Sequence, residues 1–263
     1  VTSLPNRCFD GCKSLTSVSF PGIKTIGNYA FLNCSALTGI SIPEGAKVGE
    51  GAFQYCTGLK GTLTIPNGAN IAYRAFDGCS GITSIVLHSG MTSGDWNRNG
   101  CFMSMSGVNS VSIIDDGNHT IPANVFGGAS FSKDGVSLNI DNTITGIGDY
   151  AFNHANFPTT LDLSSQFTSY GASAFEGNGA FKGNENGVIA VKTPSGKSGV
   201  TVGSRAFWNT GATEIDIYPN MDYSGCEPTD KYYEYGNGGP YNGKSMAQGG
   251  LSVADGCRCL TKD

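Results

Sequence analysis

The feature that decides how this chain can fold is a repeat. The pair Ala-Phe, or a close variant, recurs with Phe at 9, 31, 53, 76, 102, 126, 152, 175 and 207, at spacings of 22, 22, 23, 26, 24, 26, 23 and 32 residues. After most of these Phe comes an aliphatic run: Leu15-x-x-Val18-x-Phe20-Pro21, Leu37-x-x-Ile40-x-Ile42-Pro43, Leu63-x-Ile65-Pro66, Ile82-x-x-Ile85-x-Leu87 and Val108-x-x-Val111-x-Ile113. Such alternation predicts a short strand with one buried face, closed in the first three units by a Pro that cannot donate to a ladder. A second apolar pair, as in Ile23-Lys24-Thr25-Ile26-Gly27 and Ile144-Thr145-Gly146-Ile147-Gly148, leads into the next Ala-Phe. A unit of about 23 residues cannot bury its own apolar face, so the units must stack into one continuous core with Phe as an internal spine. Strands stacked ~4.8 Å apart give nine turns a length of roughly 40 Å.

Composition agrees with a turn-dense fold. Gly supplies 39 of 263 residues with no G-X-Y period, which excludes collagen, while 39% apolar content is enough to fill a core. Charged residues make up only 14% of the chain, so Ser, Thr, Asn and Gly must cover the surface. A net charge of -5 removes the electrostatic footprint of a nucleic-acid or anionic-membrane binder. No apolar run approaches the ~18 residues of a membrane span, so direct membrane insertion is not expected. The chain reads as a soluble piece of something longer, without a signal peptide at residue 1.

The pattern L-x-x-I-x-I-P...I-x-x-I-G-x-x-A-F-x-x-C resembles the BspA-like leucine-rich repeats of bacterial surface proteins, also found in parasitic protists. Ile26-Gly27-Asn28-Tyr29-Ala30-Phe31-Leu32-Asn33-Cys34-Ser35-Ala36-Leu37 and Ile147-Gly148-Asp149-Tyr150-Ala151-Phe152 carry the likeness most fully. The resemblance implies a right-handed leucine-rich repeat solenoid, a β-rich α/β superhelix of short strands and short helical turns. It also implies export to the cell surface, and action by binding protein or matrix rather than by catalysis. After residue 176 the spacing stretches and the Pro disappears. The expected layout is repeats over 1–218, a Tyr/Gly/Asn-rich insertion over 219–252, and the start of a further, truncated repeat over 253–263, where Val253 to Leu260 echoes Phe9 to Leu15.

Nine Cys invite a disulfide or zinc search, but register answers most of it. Cys12, Cys34, Cys56 and Cys79 each lie three residues after a spine Phe, a slot that later units fill with Met105, Ala129, Ala155, Asn178 and Thr210. A slot shared by Cys, Ala and Thr is a small buried position, so these thiols are expected unpaired. No CxxC pair exists, and His88, His119 and His154 occupy no partner register, so no metal site is expected. For an exported chain, a bridge from Cys226 to Cys257 or Cys259 is one of two open readings of that segment.

Two letter-matches fail on context. Gly238 to Ser245 spells G-x-x-x-x-G-K-S, but no buried strand feeds it and Gly249-Gly250 interrupts the helix that a phosphate-binding loop needs. Asp95-x-Asn97-x-Asn99-Gly100 matches half a calcium loop, yet its twelfth position is Ser106 in place of the bidentate Glu, and an Asn-Gly turn explains the same residues. No catalytic motif or recurrent carboxylate pair is present, so neither an enzyme nor a cofactor is expected.

Two surfaces stand out. Outward positions of the strand face read Ser17, Gly39, Thr62, Ser84, Ser110, Ser137 and Thr160 in one row, with Ser19, Ser41, Thr64, Val86, Ser112, Asn139 and Asp162 beside it. This is a flat, neutral, hydroxyl-rich sheet without aromatic platforms. Six of the eleven Tyr fall between 218 and 241, mixed with Gly, Asn and Pro, the composition of an adaptable contact loop with rigid anchors. Tyr232, Tyr233, Tyr235 and Tyr241 are the candidate ligand-binding residues; the competing reading packs them over the solenoid end. The functional expectation is an extracellular or cell-surface binding or adhesion module, with a protein, matrix or host surface as partner and a glycan as a further option. The alternative is a structural spacer or assembly subunit.

Overall fold

The computed structural model describes residues 1–94, 100–131, 135–155, 166–176, 200–203 and 205–206, together with the backbone of three later strands. These residues form a β-solenoid whose turns stack in sequence order. The turns are joined by two parallel strand ladders, neither of them unbroken, and by a third set of backbone bonds around the spine.

The first ladder comes from the second apolar pair. Strands β1 (Ser3–Leu4), β2 (Thr25–Ile26), β3 (Lys47–Val48), β5 (Asn70–Ile71) and β7 (Thr92–Ser93) pair side by side, all parallel. It resumes with β9 (Thr120–Ile121), β11 (Gly146–Ile147), β12 (Ser169–Tyr170), β13 (Val200–Val202) and β15 (Met221–Asp222). The residue after each pair explains the Ile-Gly signature. A Cβ built on Gly27, Gly49, Gly171 or Gly203 would lie 2.5 to 2.7 Å from a backbone nitrogen of the preceding turn. At these four positions glycine keeps a side chain out of that close approach, while Ala72 fills the same slot in the fourth turn and still donates to Val48 at 2.9 Å.

The second ladder is the main sheet predicted from the aliphatic runs, β4 (Gly61–Ile65), β6 (Ile82–His88), β8 (Ser110–Ile114) and β10 (Ser137–Ile140), again all parallel. Further along, β14 (Glu214–Ile217) pairs with β16 (Arg258–Thr261). The expected strands at 15–20 and 37–42 do not form. Thr38 N–H donates to the Thr16 carbonyl and Lys60 N–H to the Thr38 carbonyl, and no regular pairing follows. Leu15, Val18, Phe20 and Ile40 are only partly covered there, while Leu37 and Ile42 are buried; β10 forms with Leu138 and Ile140 equally part-covered, so cover alone does not decide strand formation.

The third ladder surrounds Ala-Phe. The expected short helical turns are absent among the described residues; each is a run of tight turns held by bonds to the next unit. The reason lies in left-handed backbone positions on both sides of most described spine rings, which break helical continuity; Gly100 before Phe102 is the exception. Two residues before Phe, φ is 52 to 57° at Arg7, Tyr29, Gly51, Arg74, Asn124, Tyr150, Ser173 and Arg205. Two residues after Phe it is 51 to 73° at Gly11, Asn33, Tyr55, Gly78, Ser104, Gly128 and His154.

Inside, the spine is a continuous stack of rings. Successive centroids from Phe9 to Phe76 are 5.1, 5.1 and 5.4 Å apart, nearly parallel. From Phe126 to Phe175 they are 5.3 and 5.2 Å apart. Phe31 to Phe175 are fully buried. The small slot behaves as its composition predicted: Cys34, Cys56 and Cys79 are buried and unpaired. Each thiol points at the carbonyl of the spine Phe one turn earlier, Phe9, Phe31 and Phe53, at 3.0 to 3.1 Å. Desolvation pushes the Cys56 thiol up to about 12 and Cys79 well above its ordinary value. Cys101, in the Ala position, is likewise raised to about 12 by burial. Cys8 and Cys12, in the first turn, are exposed and free.

Candidate interaction surfaces

The main sheet sets out its outer face in the predicted rows. Thr62 pairs with Ser84, Ser84 with Ser110 and Ser110 with Ser137; beside them run Thr64, Val86, Ser112 and Asn139. Their inward neighbours Leu63, Ile65, Ile85, Leu87, Val111 and Ile113 are buried. Ser17, Ser19, Gly39 and Ser41 are exposed on the irregular first turns, while Thr160 and Asp162 lie outside the described residues. Among these hydroxyls the contacts are sparse, such as Asn139 Nδ2 donating to Ser137 Oγ at 3.4 Å. The face is thus a solvated polar array.

The turn surface carries aromatic and charged side chains from the left-handed positions, which the sequence reading did not single out. The Tyr29 ring lies over Gly51 and its hydroxyl donates to Glu50, with the Arg7 guanidinium 4.7 Å from the ring centroid. The Tyr55 ring lies over Gly78 and stays half exposed. Beneath them Gln54 and Asp77 are buried and joined at 3.0 Å, with Arg74 at 3.6 Å from the same carboxylate. Glycine one turn along is what makes room for each ring. That pairing of Tyr with a following Gly in the same slot is the sequence signal that could have located this surface.

The densest group of titratable side chains lies in the loops after β6, β8 and β10. Asp115 Oδ1 accepts from Ser89 Oγ at 2.9 Å and from the backbone N–H of Gly117 and His119 at 3.0 and 2.9 Å. Its Oδ2 accepts from Thr143 Oγ1 at 2.8 Å and faces His119 Nδ1 at 2.5 Å. Desolvation opposes the charge, but the bonds from His119 N–H, Thr143, Ser89 and the His119 ring outweigh it and hold the carboxyl well below the usual carboxylate range. Next to it, both Asp116 oxygens lie 3.0 Å from His88 Nδ1, and Asp116 N–H donates to Ser89 Oγ at 2.8 Å. Both oxygens of Asp115 are already engaged, so this carboxylate has little capacity left for a metal ion or a substrate proton. The group works as a clamp. Among the described residues no cluster of three or more His, Cys, Asp or Glu is placed to hold a metal ion.

Tyr232, Tyr233, Tyr235 and Tyr241 lie outside the described residues, as do Asp95, Asn97 and Asn99, the Gly238 to Ser245 string, and Cys226 and Cys257. Of Cys259 only the backbone is described, within β16.

The repeated geometry of Gly slot, bracketed Phe and inward Cys has a counterpart among known families. The model of the BspA type leucine-rich repeat region matches in six copies over residues 1–97 and 97–222. The chain belongs to that family. The BspA-type repeat therefore covers most of the sequence, including every turn whose Phe stack is described. A leucine-rich repeat protein from Bacteroides ovatus ATCC 8483, known from its crystal structure, is similar over 100% of this chain and 88% of its own, at 15% identity and a TM-score of 0.27. No curated protein matches the chain.

Proposed function

We propose that this chain is a non-catalytic recognition module, displayed outside the cell or on its surface, that holds protein or matrix partners against its exterior. The observation that supports the reading most is the interior. From Phe9 to Phe175 the described turns are filled by stacked Phe at 5.1 to 6.1 Å, so they offer their outer faces rather than a central cleft. Belonging to a leucine-rich repeat family accords with interaction as the task, although fold by itself does not fix function. Net charge of -5 argues for partners other than nucleic acid. Within this reading the Tyr-rich segment supplies the anchor, because interface hot spots are enriched in Tyr, whereas hydroxyl rows satisfied by water return little on being covered.

The test is the full chain with Tyr232, Tyr233, Tyr235 and Tyr241 changed together to Ala, measured by pull-down from extracellular matrix and by titration of any captured protein. Binding should fall about tenfold or more with the melting curve unchanged. A folded variant of unchanged affinity moves the site to the solenoid faces; a chain that captures nothing but itself supports the assembly subunit instead.

A further inference from the structure

Between the fifth and sixth turns, three independent features of the solenoid change at once. The first ladder stops: among the described residues β7 pairs with β5 alone and β9 with β11 alone. One of the two missing rungs has its cause in the sequence. In other turns the residue after the apolar pair donates to the turn before it: Gly49 N–H to Ile26, Ala72 to Val48, Gly94 to Ile71, Gly148 to Ile121 and Gly171 to Ile147, at 2.7 to 3.1 Å. In the sixth turn this residue is Pro122, which has no N–H to offer Ser93.

The turn ladder also slips. The spine N–H of Phe31, Phe53, Phe76, Phe126 and Phe152 each donates to the residue before the next spine ring, at 2.7 to 3.0 Å. For Phe102 the equivalent bond to Val125 is not made, and Gly100 N–H reaches Gly127 instead at 2.8 Å. Finally, the ring stack loosens. Phe76 to Phe102 is 6.0 Å, and Phe102 to Phe126 is 6.1 Å with the planes 35° apart. Among the described residues the main sheet runs through, β8 pairing with β10 over four residues, and a single β-bridge joins Met103 to Ala129.

We propose that the solenoid is hinged between its fifth and sixth turns, with the main sheet as the hinge leaf and the Asp115 clamp as its latch. The latch stands at the lip of the gap, just ahead of β9. Ser89, Asn118 and His88 tie the loop after β8 to the loop before β7, and Thr143 ties it forward to the next turn. Side chains there add to the few backbone bonds that cross the joint, Gly100 to Gly127 and the Met103–Ala129 bridge. Opening swings the two arms about β8 and β10 and changes the angle between the surfaces they present, a hinge in the ordinary sense of a few element-terminal residues absorbing the motion. The inference does not rest on which face binds a partner.

Native-state hydrogen exchange of the intact chain reads the hinge directly, since amides spanning a low-stability joint exchange by local opening. The comparison is between amides in the same slot, corrected for intrinsic rate. Gly100, bonded across the gap, should be protected at least about tenfold less than Gly51, which donates to Tyr73 inside the regular stack. Changing Asp115→Asn should speed exchange at Gly100 and Ser89 by about a further tenfold and leave Gly51 within about twofold. Gly100 as protected as Gly51 in the unmodified chain would overturn the proposal without any variant. So would an Asp115→Asn chain in which all three amides speed up equally.

Discussion

Replacing Phe53 by Ala is the most informative single perturbation of this fold. The side chain is fully buried between Phe31 at 5.1 Å and Phe76 at 5.4 Å, with planes within 3°. Truncating a buried Phe costs about 3 to 5 kcal/mol. Two stacked partners, each adding ~0.5 to 1.5 kcal/mol beyond area, place this site toward the upper end. A domain of this size loses ~2 to 4 °C per kcal/mol, so the melting midpoint followed by circular dichroism should fall by about 10 °C or more. Phe9 is the internal comparison. It is partly covered and stacks on Phe31 alone among the spine rings, so Phe9→Ala should cost about half as much. An unchanged midpoint for Phe53→Ala would refute the spine. Equal losses at the two sites would refute the nearest-neighbour reasoning while leaving the burial intact.

Three further outcomes follow from the same geometry. Native alkylation at pH 8, read by peptide mass spectrometry, should label Cys8 and Cys12 and spare Cys56, Cys79 and Cys101, whose thiols burial keeps protonated and out of reach; early labelling of Cys56 would contradict that. Gly49→Ala should destabilise by about 1 to 3 kcal/mol because its Cβ would lie 2.7 Å from the Asn28 backbone nitrogen, whereas Gly39→Ala, with open space around it, should be nearly neutral in the same thermal melts. Asp115 titrates below its ordinary value in the folded chain, so its contribution is fully present above the unfolded carboxylate range near 4 and is lost as pH falls below it. Between pH 7 and pH 3 the parent chain should therefore lose more stability than Asp115→Asn, and parallel losses would show the clamp to be idle.

How much of this was legible in the sequence depends on whether a feature repeats. The spine Phe, the small Cys/Ala slot and the rows Thr62-Ser84-Ser110-Ser137 recur in phase, and the structure places each where the phase puts it. The strands expected at 15–20 and 37–42 share that pattern and do not form, although Leu37 and Ile42 are buried, so neither pattern nor burial alone reports backbone pairing. The expected helical turns failed for a different reason: nothing about Arg7, Tyr29 or Tyr55 as residue types announces a left-handed backbone angle. Asp115 occurs once, so register analysis passes over it; the Asp-Asp-Gly-Asn string marks a turn, and only the fold brings Ser89 and Thr143 to it. Pro122 was readable in principle: Pro5 in the first turn aside, the slot holds Gly or Ala in every other described turn.

The left-handed positions have a consequence for how such a surface can change over time. At the position two residues before the ring, a guanidinium, a phenol, an amide, a hydroxyl and a bare glycine all sit on backbone angles within a few degrees of one another. The backbone there is dictated from inside, by the ring and the bonds to adjacent turns, and is indifferent to what projects outward. Each turn is in effect a socket of fixed pitch into which different chemistry can be fitted one residue at a time. Mutation can thus revise the exterior turn by turn, and duplication can lengthen it, without renegotiating the packing of the interior.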